Sequence, residues 1–322
     1  MALPFYPALF LLAALWGGSF LFMRIAAPVL GPVWLIALRV LIAGVVLLPM
    51  LLRREHLVQL RRHGWQLLFV GFLSAALPFT LLAYAALELS AGMTSILNAT
   101  VPIFAALIGV LLYAEVLDAR RLAGVLLGFA GVAILVGLPA QGDTASSPWL
   151  SVIAGLAAAV SYVFGANFAK RHLSRVPAVV FVAGSQLGAA LLMLPLMPLF
   201  PPTQSAGWLE IGAVICLAVL STSLAFLIYF QLLREVGPTR TLTVTYLIPV
   251  FAIAWGALLL GEAVTPQMLL GGGLILAGVA LANSALVSFR TAVPRRATQA
   301  AATVADEPGN LPSERVRYRR PD

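Results

Sequence analysis

Glu88–Ala133 reads ELSAGMTSILNATVPIFAALIGVLLYAEVLDARRLAGVLLGFAGVA, and Glu235–Ala280 reads EVGPTRTLTVTYLIPVFAIAWGALLLGEAVTPQMLLGGGLILAGVA. A shift of 147 positions superposes the two stretches without a gap. Glu88 then falls on Glu235, Thr94 on Thr241, Pro102 on Pro249, Phe104 on Phe251, Gly109 on Gly256, Glu115 on Glu262 and Gly124 on Gly271. Apolar segments share Leu and Ala by chance. Proline, acid and glycine coincidences in one register are not a product of composition, so the chain is a duplication.

Working outward, hydrophobic residues make up 61% of the 322 residues and charged ones only 10%, against roughly half and a quarter in soluble domains. Apolar runs of about 20 residues recur, the length that crosses roughly 30 Å of hydrocarbon. The reading is an all-α integral membrane protein with spans near 7–27, 33–52, 66–86, 93–113, 120–138, 149–169, 177–200, 208–232, 238–260 and 267–288. The first repeat is expected over 1–138, a Gly/Asp/Ser linker over 139–147, the second repeat over 148–288 and a disordered cytoplasmic tail over 289–322. Trp34, Trp65, Trp149 and Trp208 stand at span ends, where amphipathic rings favour the interface. The start, MALPFYPALFLLAALWGG, lacks a basic n-region and is read as the first span instead of a signal peptide. The single cysteine, Cys216, lies within an apolar run, which leaves no disulfide framework.

Charge orients the spans. Of 20 Lys and Arg, all but Arg24 and Arg39 fall in the loops and the tail on one side. That side is cytoplasmic by the positive-inside rule, so both termini are expected there. Basic loops beside anionic headgroups also account for the net charge of +8 without nucleic acid. Five spans per repeat is an odd number, so the second repeat enters the membrane from the opposite side. Ten transmembrane helices then form two inverted five-helix repeats, an architecture suited to alternating access around a central site.

The three histidines, His56, His63 and His172, all fall in cytoplasmic loops, and no Asp or Glu lies deep inside a span. Metal chemistry and proton-transfer catalysis want such groups clustered. No enzyme activity, no cofactor and no metal are therefore expected. Polar and aromatic residues within spans mark a cavity instead: Trp16, Ser19, Arg39, Tyr84, Asn98, Ser161, Tyr162, Asn167, Thr245 and Tyr246, with Ser95, Gln186, Thr222 and Tyr229 beside them. A mostly apolar pocket with a few convergent polar groups suits a small molecule. Pro102 and Pro249 near mid-span deny a hydrogen bond to the carbonyls of Asn98 and Thr245, and are read as hinges. Glu115 and Glu262 end spans 4 and 9 just before the N-cap residues Asp118 and Thr265, and are read as structural. Gly124, Gly128, Gly271 to Gly273 and Gly278 suit close helix packing within the bundle or between subunits, which leaves a homodimer open.

The repeat resembles the EamA-type families of the drug/metabolite transporter superfamily. The residues that carry the resemblance are Trp16-Gly-Gly-Ser-Phe, Arg39, Ser90-Ala-Gly, Pro102-Ile-Phe, Glu115, Pro249-Val-Phe and Gly261-Glu262, and it covers about residues 7–288. It implies a carrier in the bacterial inner membrane that exports small metabolites, often amino acids or related compounds, with the substrate cavity between the repeats. Partners so implied are a small-molecule substrate and membrane lipids.

Two alternatives stand beside export of such solutes. One is a carrier of anionic organic acids that uses Arg24 and Arg39; the other is a scaffold or lipid-handling protein without solute flux. Arg24 is expected to snorkel to the headgroups. Arg39, roughly 10 Å deep in span 2, is expected either to clamp helix-end carbonyls or Glu88, or to hold a substrate carboxylate through its fork.

Overall fold

The computed structural model describes residues 4–113, 118–137 and 149–291. Glu115, the expected linker at 139–147 and the tail beyond 291 lie outside the described residues. Those described form helices and no strands. In hydrocarbon a helix is the segment that satisfies its own N–H and C=O groups without water. Seven helices are long and apolar enough to cross a membrane, and Val244–Leu260 and Pro266–Ala282 are shorter apolar helices.

The spans expected near 7–27 and 33–52 meet one 47-residue helix, α1 (Phe5–Leu51), interrupted at Gly31 with φ 75° and ψ 156°. Pro28 and Pro32 flank the break and Gly31 takes a left-handed φ that a residue with a Cβ avoids, so the turn needs no loop. A short charged helix, α2 (Arg54–Arg62), follows with no buried residue. Then come α3 (Gly64–Gly71), a π turn at Phe72–Ala76 and α4 (Leu77–Glu88), which together make one apolar rod. Next are α5 (Ala91–Asn98), α6 (Val101–Tyr113) and α7 (Ala119–Gly137).

The second half runs α8 (Trp149–His172), α9 (Ala178–Met193), a 3-10 turn at Leu194–Leu199 and α10 (Trp208–Ala218). A second π turn, Val219–Leu224, leads into α11 (Ala225–Thr241), which breaks at Gly237 with φ 80°. α12 (Val244–Leu260) ends on Gly261 in the left-handed region, and α13 (Pro266–Thr291) closes the described chain.

The core gathers around α1, where Leu12, Met23, Leu35, Ile36 and Val40 pack with Phe79, Leu82, Leu217 and Ala252. A separate cluster of Ile96, Ile103, Val125, Ile275 and Val279 joins α5, α6, α7 and α13. α7 and α13 approach until a Cβ on Gly124 or on Gly278 would fall 2.5 Å from the other's carbonyl oxygen. A Cβ on Gly131 would likewise fall 2.6 Å from Gly271 O. Residue numbers rise along one helix as they fall along the other, so the two run antiparallel. Caps follow the sequence: Asp118 Oδ1 accepts from Arg121 N at 2.7 Å, and Thr265 Oγ1 from Met268 N at 3.2 Å.

Candidate functional site: a two-sided cavity around Arg39

A cavity of about 450 Å³ lies between the halves, lined from the first by Trp16, Ser19, Arg39, Phe79 and Asn98 and from the second by Tyr162, Gln186, Tyr229 and Thr245. Pro102, Pro249, Ser74, Ser95 and Ser185 complete its polar and kinked parts. The walls are aromatic: Trp16 packs on Tyr229 at 5.2 Å and on Phe226 at 6.0 Å, and Phe79 packs on Tyr162 at 6.2 Å.

Arg39 is the cavity's charge and is only 3% exposed. Its Nε donates to Thr222 Oγ1 at 2.9 Å, and its guanidinium lies 3.6 Å from the centroid of the Phe79 ring. Thr222 sits in the second π turn, where its hydroxyl donates to Leu217 O at 2.8 Å. That leaves the Thr222 oxygen's lone pairs for Arg39. The extra residue of a π turn shifts side chains around the helix, which is why such turns so often build sites. Hydroxyl and ring fix the guanidinium plane. Among the described residues Arg39 Nη1 has no partner, nor do Ser95 Oγ, Asn98 Oδ1 and Gln186 Oε1, all buried. Orphaned buried polar atoms are costly and need an explanation.

Several expected residues stand elsewhere. Tyr84 is 39% exposed on α4 and does not line the cavity. Ser161 is buried but donates to Leu73 O at 2.7 Å, satisfying a carbonyl at the first π turn. Asn167 donates to Val163 O on its own helix, and Tyr246 packs against the separate cluster of α5, α6, α7 and α13. Arg39 meets Thr222 and Phe79, not Glu88, whose carboxylate accepts instead from Ser151 Oγ. The chain breaks at Ala99–Thr100, one turn before Pro102, whereas α12 runs on through Pro249.

Arg24 does not snorkel. Its Nη1 donates to Ala86 O at 2.8 Å and Leu87 O at 2.7 Å, and its Nε lies 3.4 Å from Glu262 Oε1. The Glu262 carboxylate also accepts from Ala91 N, at 3.0 Å to Oε2, and so caps the start of α5. Burial pushes this carboxyl above the usual carboxylate range, against the opposing pull of the Ala91 N–H and Arg24. Glu262 reaches across from the α12–α13 linker, which its position before Thr265 alone did not reveal.

Ser74, Ser185, Phe79 and Phe181 line the cavity without having been singled out from sequence. For Ser74 a signal existed, because the 147-residue shift sets it on Ser221, the neighbour of Thr222. The phenylalanines carry no such mark in so apolar a chain. Among the described residues no group of three or more His, Cys, Asp or Glu could hold a metal ion.

The sequence matches the EamA-like transporter family over residues 4–137 and again over 149–284. The chain belongs to that family. It is 26% identical over 294 residues to the "Uncharacterized inner membrane transporter YedA" of Escherichia coli K12, covering 87% of this chain and 90% of the relative. The "Uncharacterized transporter YvbV" of Bacillus subtilis is 27% identical over 277 residues, covering 85% and 89%. The "Probable amino-acid metabolite efflux pump" of Salmonella typhimurium is 26% identical over 288 residues, covering 84% and 91%. A protein of known crystal structure is similar with a TM-score of 0.61 at 26% identity, covering 89% of this chain and 98% of the other. This EamA-family chain is thus a multi-pass membrane protein of transporter type.

Proposed function

We propose that the chain is a secondary transporter that exports small carboxylated metabolites, amino acids among them, by alternating access across a bacterial inner membrane. The observation that carries this is the cavity shared by both halves, with a buried arginine whose Nη1 group has no hydrogen-bond partner among the described residues. A buried charge without an ion partner costs several kcal/mol. A substrate carboxylate at Nη1 removes that cost. The aromatic walls suit an apolar side chain. The efflux-pump name of the Salmonella relative supports the direction and the amino-acid class.

Ten crossings as two inverted repeats support alternating access. A helix of 47 residues would run about 70 Å, more than twice the hydrocarbon thickness, so α1 crosses twice and turns at Gly31. Gly237 divides α11 from the next crossing in the same way. The shift that maps Gly124 to Gly271 also maps Gly131 to Gly278, and thus exchanges the two antiparallel contacts of α7 and α13. An inverted pair meets its partner in this manner. The repeats then span 1–138 and 148–288, both termini are cytoplasmic, and Pro102 and Pro249 serve as paired hinges. Arg24 and Glu262 close the outer end, while the cavity residues Gly165, Ala169 and Leu242 lie toward the cytoplasmic end.

The test is flux of radiolabelled leucine and of its deaminated analogue from loaded vesicles that contain the purified protein. Directional efflux above that of empty vesicles is expected for at least one of them, and efflux of neither would leave the scaffold reading. A specific feature favours a second reading, the carrier of organic acids: among the described residues that line the cavity, none is acidic. Efflux of the deaminated analogue alone would select it.

A further inference from the structure

The 147-residue shift that defines the repeat sets Gln186 on Arg39 and the π turn Phe72–Ala76 on Val219–Ser223. It also sets Ala178, the first residue of α9, on Gly31, where α1 breaks. The two halves therefore present equivalent helices to each other's π turns. After Gly31, α1 lies against the second turn through Arg39 and Thr222, and Ser223 Oγ donates to Ala43 O at 3.4 Å. α9 lies against the segment that leads into the first turn, so closely that a Cβ on Gly71 would fall 3.0 Å from Ala189 N. Each arrangement carries one long polar side chain into the same cavity. Arg39 is 3% exposed and Gln186 is 2% exposed. Each keeps one buried polar atom without a partner, Nη1 on the arginine and Oε1 on the glutamine.

We propose that Gln186 is the second pole of the substrate site, accepting a hydrogen bond from an N–H group of a solute whose carboxylate is held at Arg39. This rests on the transport reading above and adds the residue that decides which carboxylates are preferred. The site is nearly two-fold in framework and deliberately unequal in chemistry. A guanidinium donates only, whereas a primary amide carries an accepting oxygen. Two arginines would make a site for dicarboxylates. One arginine with one amide makes a site for a molecule with an acid at one end and an amine or amide N–H at the other. The apolar stretch between them would lie along Trp16, Phe79 and Tyr162. Gln186 is also well placed to reject: an apolar tail without an N–H would leave its oxygen buried and unpaired, which is how a polar pocket discriminates most strongly.

The test uses four six-carbon carboxylates, norleucine, ε-aminohexanoate, hexanoate and adipate, with the purified full-length protein in detergent, read by equilibrium binding. Wild type should bind at least one amine-bearing acid about tenfold more tightly than hexanoate, the scale of one charge-assisted hydrogen bond. Gln186→Leu should erase that gap, weakening the amine-bearing acids and tightening hexanoate, which no longer strands a buried oxygen. Gln186→Arg should raise adipate affinity about tenfold and weaken both amine-bearing acids. Gln186→Glu, which keeps the shape, should tighten the amine-bearing acids and guards against a variant that merely folds poorly. If Gln186→Leu weakens hexanoate and the amines alike, or if the Gln186→Arg variant gains nothing for adipate, the glutamine is packing and the proposal falls. In that case Arg39→Lys would still weaken all four acids, and the transport reading would survive. Failure of wild type to bind any of the four would overturn both.

Discussion

Arg24 and Arg39 lie on one helix, on either side of its Gly31 break, and meet opposite fates. Arg24 has two carbonyls and a carboxylate within reach, and every one of them belongs to the protein. The carbonyls of Ala86 and Leu87 end α4, where a helix leaves its last C=O groups unpaired, and Glu262 in turn covers an N–H at the start of α5. Arg39 has a hydroxyl and an aromatic face, neither able to neutralise it, and its Nη1 group is left without a partner among the described residues. Two arginines inside spans look alike in a sequence. What separates them is whether the fold itself supplies the counter-charge: for Arg24 it does, which makes it a fastener, and for Arg39 the described residues supply none.

The largest effect should come from breaking the fastener. Arg24→Ala exposes two helix-end carbonyls to an apolar setting and strips Glu262 of its cation. Side chains here are 31% and 15% exposed, so the loss is less than for a fully buried pair, about 2 kcal/mol. Thermal unfolding in detergent should show a lower Tm and less folded protein. An unchanged Tm would mean that Arg24 is dispensable and would undo the comparison.

Arg39→Lys should act on the other side of the divide. Lysine keeps the charge but loses the planar fork and its stacking on Phe79. The folded yield should stay near wild type while efflux of carboxylated solutes falls about tenfold and efflux of amidated analogues is spared. Loss of both solute types in equal measure would make Arg39 structural, like Arg24.

How far the sequence led is clear from these two residues. Hydropathy and the repeat make the helical spans legible, because membrane helices must be long, apolar and self-satisfied. Trp16, Ser19, Arg39, Asn98, Tyr162 and Thr245 could be picked as a set because polar groups are conspicuous against so apolar a background, and they do share one cavity. Tyr84 and Asn167 were equally conspicuous and lie outside it. A helix has several faces, and spacing alone does not say which one meets the cavity when all are apolar. The π turns were invisible for a related reason, since they add a residue to a turn without proline or a run of glycines to mark it. The clamp on Arg24 crosses from residue 24 to 86, 87 and 262, and no local pattern encodes such distances.

A smaller effect should follow from loosening Arg39 without removing it. Thr222→Val keeps the volume but removes the oxygen that accepts from Nε. The guanidinium then rests on Phe79 alone, and a less fixed fork binds its carboxylate less well. KM for carboxylated solutes should rise about threefold with the maximal rate unchanged, the pattern of lost ground-state binding. Thr222→Ser should restore the wild-type value. A fall in maximal rate in both variants would point to the π turn itself instead of to its hydroxyl.

The smallest effect at neutral pH should come from Glu262→Gln, and it decides whether this acid fastens or carries protons. Burial raises the carboxyl above the ordinary carboxylate range despite Ala91 N–H and Arg24. The folded state therefore holds its proton to higher pH than the unfolded chain does. Linkage fixes the sign: this group's contribution to stability is fully present below the ordinary carboxylate range and is lost as pH rises through the folded value. Wild type should show that downward slope in Tm over weakly acidic pH. Glu262→Gln should lack it, since the amide oxygen still accepts from Ala91 N and nothing titrates. If Glu262 is only a fastener, efflux by the glutamine variant should stay within about twofold of wild type at every pH and keep the same response to an imposed pH gradient. A variant that folds with the slope removed yet no longer responds to the gradient would turn Glu262 into the coupling group and Arg24 into its modulator.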